Sequence, residues 1–179
     1  MLKRFAVIAL LLVSLTLQGC ANLGGGFKPY IDALDGYKFL YPNGWLEVSG
    51  AEGPDIVFRD LIEETENVSV VVSAIDSGKQ LTDLGDASQV GLRLAQRVLA
   101  PKDSGREAEL LSALERSQGD KLYYDLEYLI KLPNRERHHL ASVAVSRGKL
   151  YTLNISAPEQ RWDKVSKIFK TVATSFTVD

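Results

Sequence analysis

The sequence has a single cysteine, Cys20, so no disulfide can form within the chain. It has two histidines, His138 and His139, and it lacks the G-x-S-x-G, H-E-x-x-H and CxxC motifs of common hydrolase, metalloprotease and redox sites. The net charge is −2 and becomes two units more negative without Lys3 and Arg4, which argues against nucleic acid as a partner. Composition therefore favours a binding protein over an enzyme.

A single folded domain is what the length and composition predict. The chain has 179 residues, of which 45% are apolar, and it contains no low-complexity tract and no repeat at solenoid spacing. This is enough to bury one hydrophobic core, and two independent domains are not expected. With no disulfides, the stability of the domain must come from that core.

The first twenty residues have the pattern of a bacterial lipoprotein leader. Lys3 and Arg4 form a basic start, and the apolar stretch over residues 5–17 is too short to span a bilayer. The stretch leads into Leu17-Gln18-Gly19-Cys20, which resembles a lipobox. The sequence thus predicts that residues 1–19 are a signal peptide and that Cys20 becomes the lipidated N-terminus. Two or three acyl chains would anchor the protein firmly, where one chain would bind reversibly.

A flexible tether is expected between Cys20 and the domain. Residues 24–26 are glycines, and the sequence around them has no hydrophobic periodicity. We assign residues 20–35 to the lipidated N-terminus and tether, and residues 36–179 to one domain that we expect to be monomeric.

Short strands separated by turn residues dominate the rest of the chain. Strands are expected at residues 37–41, 45–48, 55–60, 67–74, 107–118, 121–132, 138–147 and 150–156. The last four are joined by short turns, which permit only antiparallel neighbours. Helices are expected at residues 86–100, where Asp86 and Gln89 form a capping box, and at residues 158–175. The pattern predicts an α+β fold in which helices cover an antiparallel sheet.

Two groups of residues resemble the PsbP family of photosystem II extrinsic proteins. The segment Tyr37-Lys38-Phe39-Leu40-Tyr41-Pro42-Asn43-Gly44-Trp45 is similar to the family's opening Y-x-F-x-Y-P-x-x-W. The family's order and spacing are also met by Arg137-His138-His139-Leu140, Gly148-Lys149-Leu150-Tyr151, Arg161-Trp162 and Thr174-Ser175-Phe176. The resemblance spans about residues 37–178, and the leader matches the cyanobacterial lipoprotein form. It implies an α-β-α sandwich around a central antiparallel sheet, the fold that the PsbP and Mog1 families share.

The resemblance also implies a function. It implies a non-catalytic protein, lipid-anchored on the lumenal side of the cyanobacterial thylakoid membrane, whose partners are photosystem II reaction-centre subunits or assembly intermediates. The role would be photosystem II assembly or stability of the oxygen-evolving complex, with a functional link to the Ca and Cl of the Mn cluster and no required cofactor. Plant members have an extended N-terminal arm where this chain has a tether and lipid, so we expect a transient assembly role. A general lipid-anchored metal- or ligand-binding module of the same fold is the alternative.

One candidate metal site follows from strand register. A tight turn at residues 147–148 would pair residues whose numbers sum to about 295, which places His138 close to Glu159. The resemblance likewise implies a metal-binding His and carboxylate at these two positions, although many family members have Asp in place of Glu. One His and one carboxylate would bind Zn or Mn weakly, with water completing the coordination. Asp163, one helical turn on, is a candidate third ligand.

Two features of the sequence limit this site. His138 and His139 are adjacent in a strand and should point to opposite faces, so we do not expect them to form a two-histidine site. Residues 156–159, Ser-Ala-Pro-Glu, also fit a capping box in which Glu159 satisfies the start of the last helix instead of binding a metal.

Overall fold

The structure is a computed structural model that describes residues 26–50 and 53–179. The predicted leader, the lipidation site Cys20 and the tether up to residue 25 lie outside the described residues. In chain order the described residues form β1 (Phe27–Asp32), β2 (Tyr37–Pro42), β3 (Leu46–Glu47), β4 (Ile56–Arg59), β5 (Asn67–Ala74), α1 (Ala87–Leu94), β6 (Glu107–Gln118), β7 (Lys121–Leu132), β8 (Arg135–Ser146), β9 (Lys149–Pro158), α2 (Trp162–Ser175) and β10 (Thr177–Val178). Within this part of the chain, no helix is long and apolar enough to cross a membrane.

Seven strands build the main sheet, in the order β3-β4-β5-β9-β8-β7-β6. Each neighbouring pair is antiparallel, and β6 to β9 form the predicted four-stranded meander. The turn between β8 and β9 sets the expected register, with His138 opposite Ala157. A smaller sheet of order β1-β2-β10 packs beside helix α2 on one face of the main sheet.

The two faces of the main sheet bury separate cores, because side chains alternate along each strand. The core under α2 and the small sheet includes Tyr37, Phe39, Phe58, Tyr151, Phe169 and Phe176. The core under α1 includes Leu81, Tyr124, Leu126, Tyr128 and Ile130. Helices on opposite faces of one antiparallel sheet make the α-β-α sandwich that the resemblance implied.

Helix α1 begins at the predicted capping box. The backbone N–H of Gln89 donates to Asp86 Oδ1 at 2.8 Å, and the Asp86 N–H donates to Gln89 Oε1 at 3.3 Å. A π-helical turn over Ala95–Leu99 follows the helix and ends just before Pro101. Gly91 lets the helix approach the sheet closely, because a Cβ there would lie 3.0 Å from the Leu110 methyl groups.

The predicted tether is too long at its C-terminal end. Residues 27–32, which the sequence analysis assigned to the tether, form β1 and pair with β2 from Phe27 opposite Pro42 to Asp32 opposite Tyr37. The strand carries Pro29 and lies at the edge of the small sheet, where a residue without an N–H is tolerated. The folded part of the chain therefore starts before residue 36.

Candidate functional site

His138 lies where β7, β8 and the start of α2 meet. Alternation along β8 turns its side chain toward α2, and the residue is only 3% exposed. The imidazole ring stacks on the indole of Trp162, with 3.7 Å between ring centroids and 10° between ring planes. The aromatic contact fixes the ring, so the directions of its two nitrogens are set by the fold.

Each ring nitrogen of His138 faces a carboxylate. Nδ1 lies 2.7 Å from Glu159 Oε2, and Nε2 lies 2.8 Å from Glu127 Oε1. A neutral imidazole has one N–H donor and one acceptor nitrogen, so it can donate to one of these carboxylates at a time. Two donors, or a proton on one carboxyl group, are needed to satisfy both contacts. Lys170 Nζ lies 3.9 Å from Glu127 Oε2 and places a positive charge beside that carboxylate.

Asp163 does not join His138 and Glu159. Its side chain is exposed in the first turn of α2, and the neighbouring Trp162 takes the place against the imidazole. The 3-10 turn Glu159–Arg161 precedes α2, so the one-turn spacing of an α-helix does not carry over from Glu159 to Asp163. Across residues 26–50 and 53–179, the one group of three potential ligands with atoms within 4.8 Å of one another lies elsewhere.

The remaining pair has some features of a weak metal site. A metal-bound His usually donates its second N–H to a carboxylate, as His138 Nε2 can to Glu127. An ion at Nδ1 would require Glu159 to move outward, since the 2.7 Å contact leaves no room between the two atoms. Glu159 has a partly exposed side chain and borders a cleft of about 560 Å³, into which it could turn. Metal binding by His138 and Glu159 stays a prediction.

Ser156 does not cap the last helix. No side-chain cap is present at Pro158, the residue before the 3-10 turn, and Glu159 bonds to His138 instead. The Ser156 hydroxyl lies at the end of β9, where it accepts a hydrogen bond from Arg137 Nε at 2.8 Å. The capping box that the sequence analysis kept as an alternative is therefore not formed.

His139 points to the opposite face from His138, as predicted. Its Nε2 is 2.9 Å from Ser156 Oγ, and the hydroxyl, which accepts from Arg137, has its own hydrogen available for that nitrogen. This arrangement suits a neutral imidazole with its proton on Nδ1. Burial, reinforced by the positive charge of Arg137, lowers the pKa of His139 to about 3.

The loop between β4 and β5 is held by the start of α2. Arg161 donates through Nε to the carboxylate of Glu66, which is 4% exposed, and its Nη1 lies 3.1 Å from Glu63 Oε1. At the start of the loop, Asp60 Oδ1 accepts hydrogen bonds from the N–H groups of Ile62 and Glu63, each at 2.7 Å. Both ends of this short loop are thus fixed by specific bonds.

A group of three acidic residues that the sequence analysis missed lies at the turn between β1 and β2. Asp32, Asp35 and Asp55 have carboxylate oxygens within 4.8 Å of one another. Each already has a partner: Asp32 accepts from turn N–H groups, Asp35 binds Lys149 Nζ at 2.5 Å, and Asp55 accepts from the Tyr37 hydroxyl. Burial, followed by the bond to Asp55, raises the pKa of Tyr37. Because every carboxylate has a partner within the fold, the three acidic residues have a structural role at this turn.

Comparisons with known proteins agree with this fold. The sequence profile of the PsbP family matches residues 25–178. CyanoP of Thermosynechococcus vestitus is 49% identical over 183 residues, which cover 99% of this chain and 100% of the relative. CyanoP of Synechocystis sp. is 48% identical over 182 residues, which cover 99% and 97%. The solution structure of cyanobacterial PsbP (CyanoP) from Synechocystis sp. matches with a TM-score of 0.74 and 46% identity, over 92% of this chain and 99% of that one.

Proposed function

The chain belongs to the PsbP family, and from that premise we propose that it is a lipid-anchored, non-catalytic extrinsic protein of photosystem II. It acts on the lumenal side of the thylakoid membrane and assists assembly of photosystem II or stability of its oxygen-evolving complex. The observation that carries the proposal is the similarity to CyanoP over 99% of the chain, which includes the leader region as well as the folded domain.

The geometry of the candidate site supports a binding role. His138 is the group with the most elaborate surroundings, yet it is buried against Trp162 and bonded through both nitrogens. His139 is bonded to Ser156 within the sheet. A general base must reach a substrate proton through an unprotonated nitrogen, and in His139 that nitrogen, Nε2, is occupied by the Ser156 hydroxyl, while both nitrogens of His138 face carboxylates.

A lipid anchor at Cys20 supplies the membrane attachment. The leader provides for export, and the acyl chains hold the domain at the surface without a spanning helix. The short distance between lipid and domain then keeps the domain beside integral membrane subunits, which raises its effective concentration there.

Affinity purification from solubilised thylakoid membranes tests the proposal. The tag should follow a flexible linker, because the Asp179 N–H donates to Gly36 O at 2.9 Å and a rigid extension would disturb that contact. Wild type is compared with Cys20→Ala, and co-eluting subunits are identified by mass spectrometry.

Co-elution of reaction-centre subunits without outer antenna supports an assembly role, and co-elution of mature oxygen-evolving complexes supports a stabilising role. Loss of co-elution in Cys20→Ala supports the anchor as part of the mechanism. If no photosystem II subunit elutes with the wild-type protein, the proposal is overturned and only the family assignment remains.

A metal-binding module is the second candidate function. It is favoured by one observation, the contact between His138 Nδ1 and Glu159 beside an open cleft, with Glu127 orienting the ring. Two protein ligands completed by water would give weak binding of Zn or Mn.

A further inference from the structure

Three large aliphatic side chains are exposed close to one another at the end of the β3–β4 pair. Leu46 is 55% exposed, Leu61 64% and Ile62 88%. Leu46 in β3 pairs with Arg59 in β4, and Leu61 and Ile62 follow Arg59 at the start of the β4–β5 loop. We call these three residues the apolar corner. Single exposed aliphatic residues are common in folded proteins, so exposure alone does not identify a contact surface.

Specific bonds hold the loop with Leu61 and Ile62 in its exposed form. Asp60 fixes the backbone of Ile62, and Arg161 holds Glu63 and Glu66 on the other side of the loop. A mobile loop could fold its aliphatic side chains back onto the protein. These bonds instead keep Leu61 and Ile62 directed outward, at the cost of leaving apolar surface in water.

The tether enters the domain near the apolar corner. Gly26, the first described residue, accepts a hydrogen bond from the Asn43 N–H at 2.8 Å, and Leu46 follows Asn43 by three residues. Three residues span at most about 11 Å, so Leu46 lies near the point where the tether enters, and its partner strand β4 leads through Arg59 directly to Leu61 and Ile62. The tether thus joins the domain at the same end as the apolar corner.

The tether is also short. From Cys20 to Gly26 there are six residues, which reach at most about 20 Å when fully extended. A lipid at Cys20 would therefore hold this end of the domain within about 20 Å of the bilayer surface, whatever conformation the tether adopts. A bilayer that holds the lipid is therefore within reach of the corner.

Charge around the corner selects the kind of lipid surface. Arg59 lies 3.6 Å from Glu64, and Arg161 is shared by Glu63 and Glu66, while Arg137 reaches the same loop by donating to the Thr65 carbonyl, so three cations stand against three acidic residues here. Asp60 and Glu47 add further negative charge at the same loop and strand. An anionic membrane would repel this end, while an uncharged one would accept the aliphatic side chains.

We propose that the apolar corner inserts into the interfacial region of an uncharged lipid bilayer and so gives the anchored domain a fixed orientation. The inference rests on the lipid anchor of the proposed function. It places the start of α2 and the cleft at Glu159 toward the membrane, and the β1–β2 turn away from it. The three aliphatic residues of the corner are enough for a second membrane contact because the acyl chains already supply the affinity.

Site-specific labelling of the full, lipidated chain tests this orientation. Acylation removes the chain's single natural thiol, so Ile62→Cys or Leu34→Cys can be labelled alone with a polarity-sensitive fluorophore. Leu34 is the matched control: it is 91% exposed but lies in the turn at the far end of the β1–β2 hairpin, about 20 Å along six residues. Each labelled protein is reconstituted into phosphatidylcholine vesicles that contain lipids with nitroxide on the acyl chain.

The proposal predicts at least threefold stronger nitroxide quenching at position 62 than at position 34, and weaker quenching at 62 when anionic lipid is added. Equal quenching at the two positions overturns it. Shielding of position 62 that requires photosystem subunits, and is absent in pure lipid, also overturns it and assigns the corner to a protein partner.

Intact-mass measurement separates this failure from failure of the proposed function. A chain that carries acyl chains and binds vesicles, but shows no preferential quenching at position 62, refutes the orientation while leaving the anchor intact. A chain without acyl chains at Cys20 that does not bind vesicles refutes the anchor and the orientation together.

Discussion

Replacement of His139 by Gln should remove one component of the acid sensitivity of this protein. The folded structure holds the imidazole neutral, with a pKa of about 3, while in the unfolded chain the pKa returns to its ordinary value of 6.5. Below pH 6.5 the unfolded chain therefore binds a proton at His139 that the folded chain does not. Stability present at neutral pH is lost as the pH falls from about 6.5 toward 3.

The magnitude between pH 7 and pH 5 follows from linkage. At pH 5 protonation favours the unfolded chain by about 2 kcal/mol, and at pH 7 by only about 0.2 kcal/mol. Wild type should thus lose about 2 kcal/mol of unfolding free energy from this residue alone. The result depends mainly on the unfolded pKa, because a folded pKa anywhere below about 4 leaves His139 neutral at both pH values.

Urea denaturation at pH 7, 6 and 5, in buffer containing a chelator, measures the effect. The pH dependence of His139→Gln should be shallower than that of wild type by about 2 kcal/mol over this range, whatever the stability of the variant at pH 7. His138→Gln, which changes the neighbouring residue on the opposite face, should keep the His139 component. Parallel curves for wild type and His139→Gln would refute the neutral state of the partly exposed His139 in the folded protein.

Four further substitutions test the fold and the site. Asp86→Ala removes the α1 capping box and should cost about 1 kcal/mol, seen as a fall of about 3 °C in the thermal midpoint; an unchanged midpoint contradicts the cap. Gly91→Ala should cost about 1 kcal/mol in urea denaturation, because a Cβ 3.0 Å from Leu110 outweighs the gain in helix propensity; a more stable variant contradicts this. Glu159→Gln should weaken zinc binding at least tenfold by calorimetry and Asp163→Asn should not; equal affinities exclude Glu159 as a ligand.

Local sequence patterns were sufficient for most of the main sheet. The turn at residues 147–148 fixes the pairing of β8 with β9 because it leaves two antiparallel strands a single register, and His138 lies opposite Ala157 as expected. Strand β1 was missed because Pro29 and the charged residues of this edge strand interrupt any alternation. Its pairing with β2 is a tertiary contact that the local pattern does not report.

Of the two carboxylates that contact His138, the sequence predicted one. Glu159 was found because one turn joins its strand to that of His138, whereas Glu127 was overlooked on the preceding strand. The same register argument would have found it: the β7–β8 turn places His138 opposite Leu129, and Glu127 is the diagonal neighbour on that face. Asp163 was expected one helical turn after Glu159 and close to His138. It does not lie there, because a 3-10 turn precedes α2 and the Asp163 side chain points to solvent.

The central claim, association with photosystem II, is tested most directly by native separation of mildly solubilised thylakoid complexes. The measured quantity is the fraction of this protein that migrates with photosystem II reaction-centre subunits, in wild type and in Cys20→Ala. If the protein associates with photosystem II through its lipid anchor, a clear fraction of wild type migrates in reaction-centre or photosystem II bands and Cys20→Ala shows a marked loss. Migration of the wild-type protein entirely as a free species, under conditions that preserve the photosystem II bands, would contradict the claim.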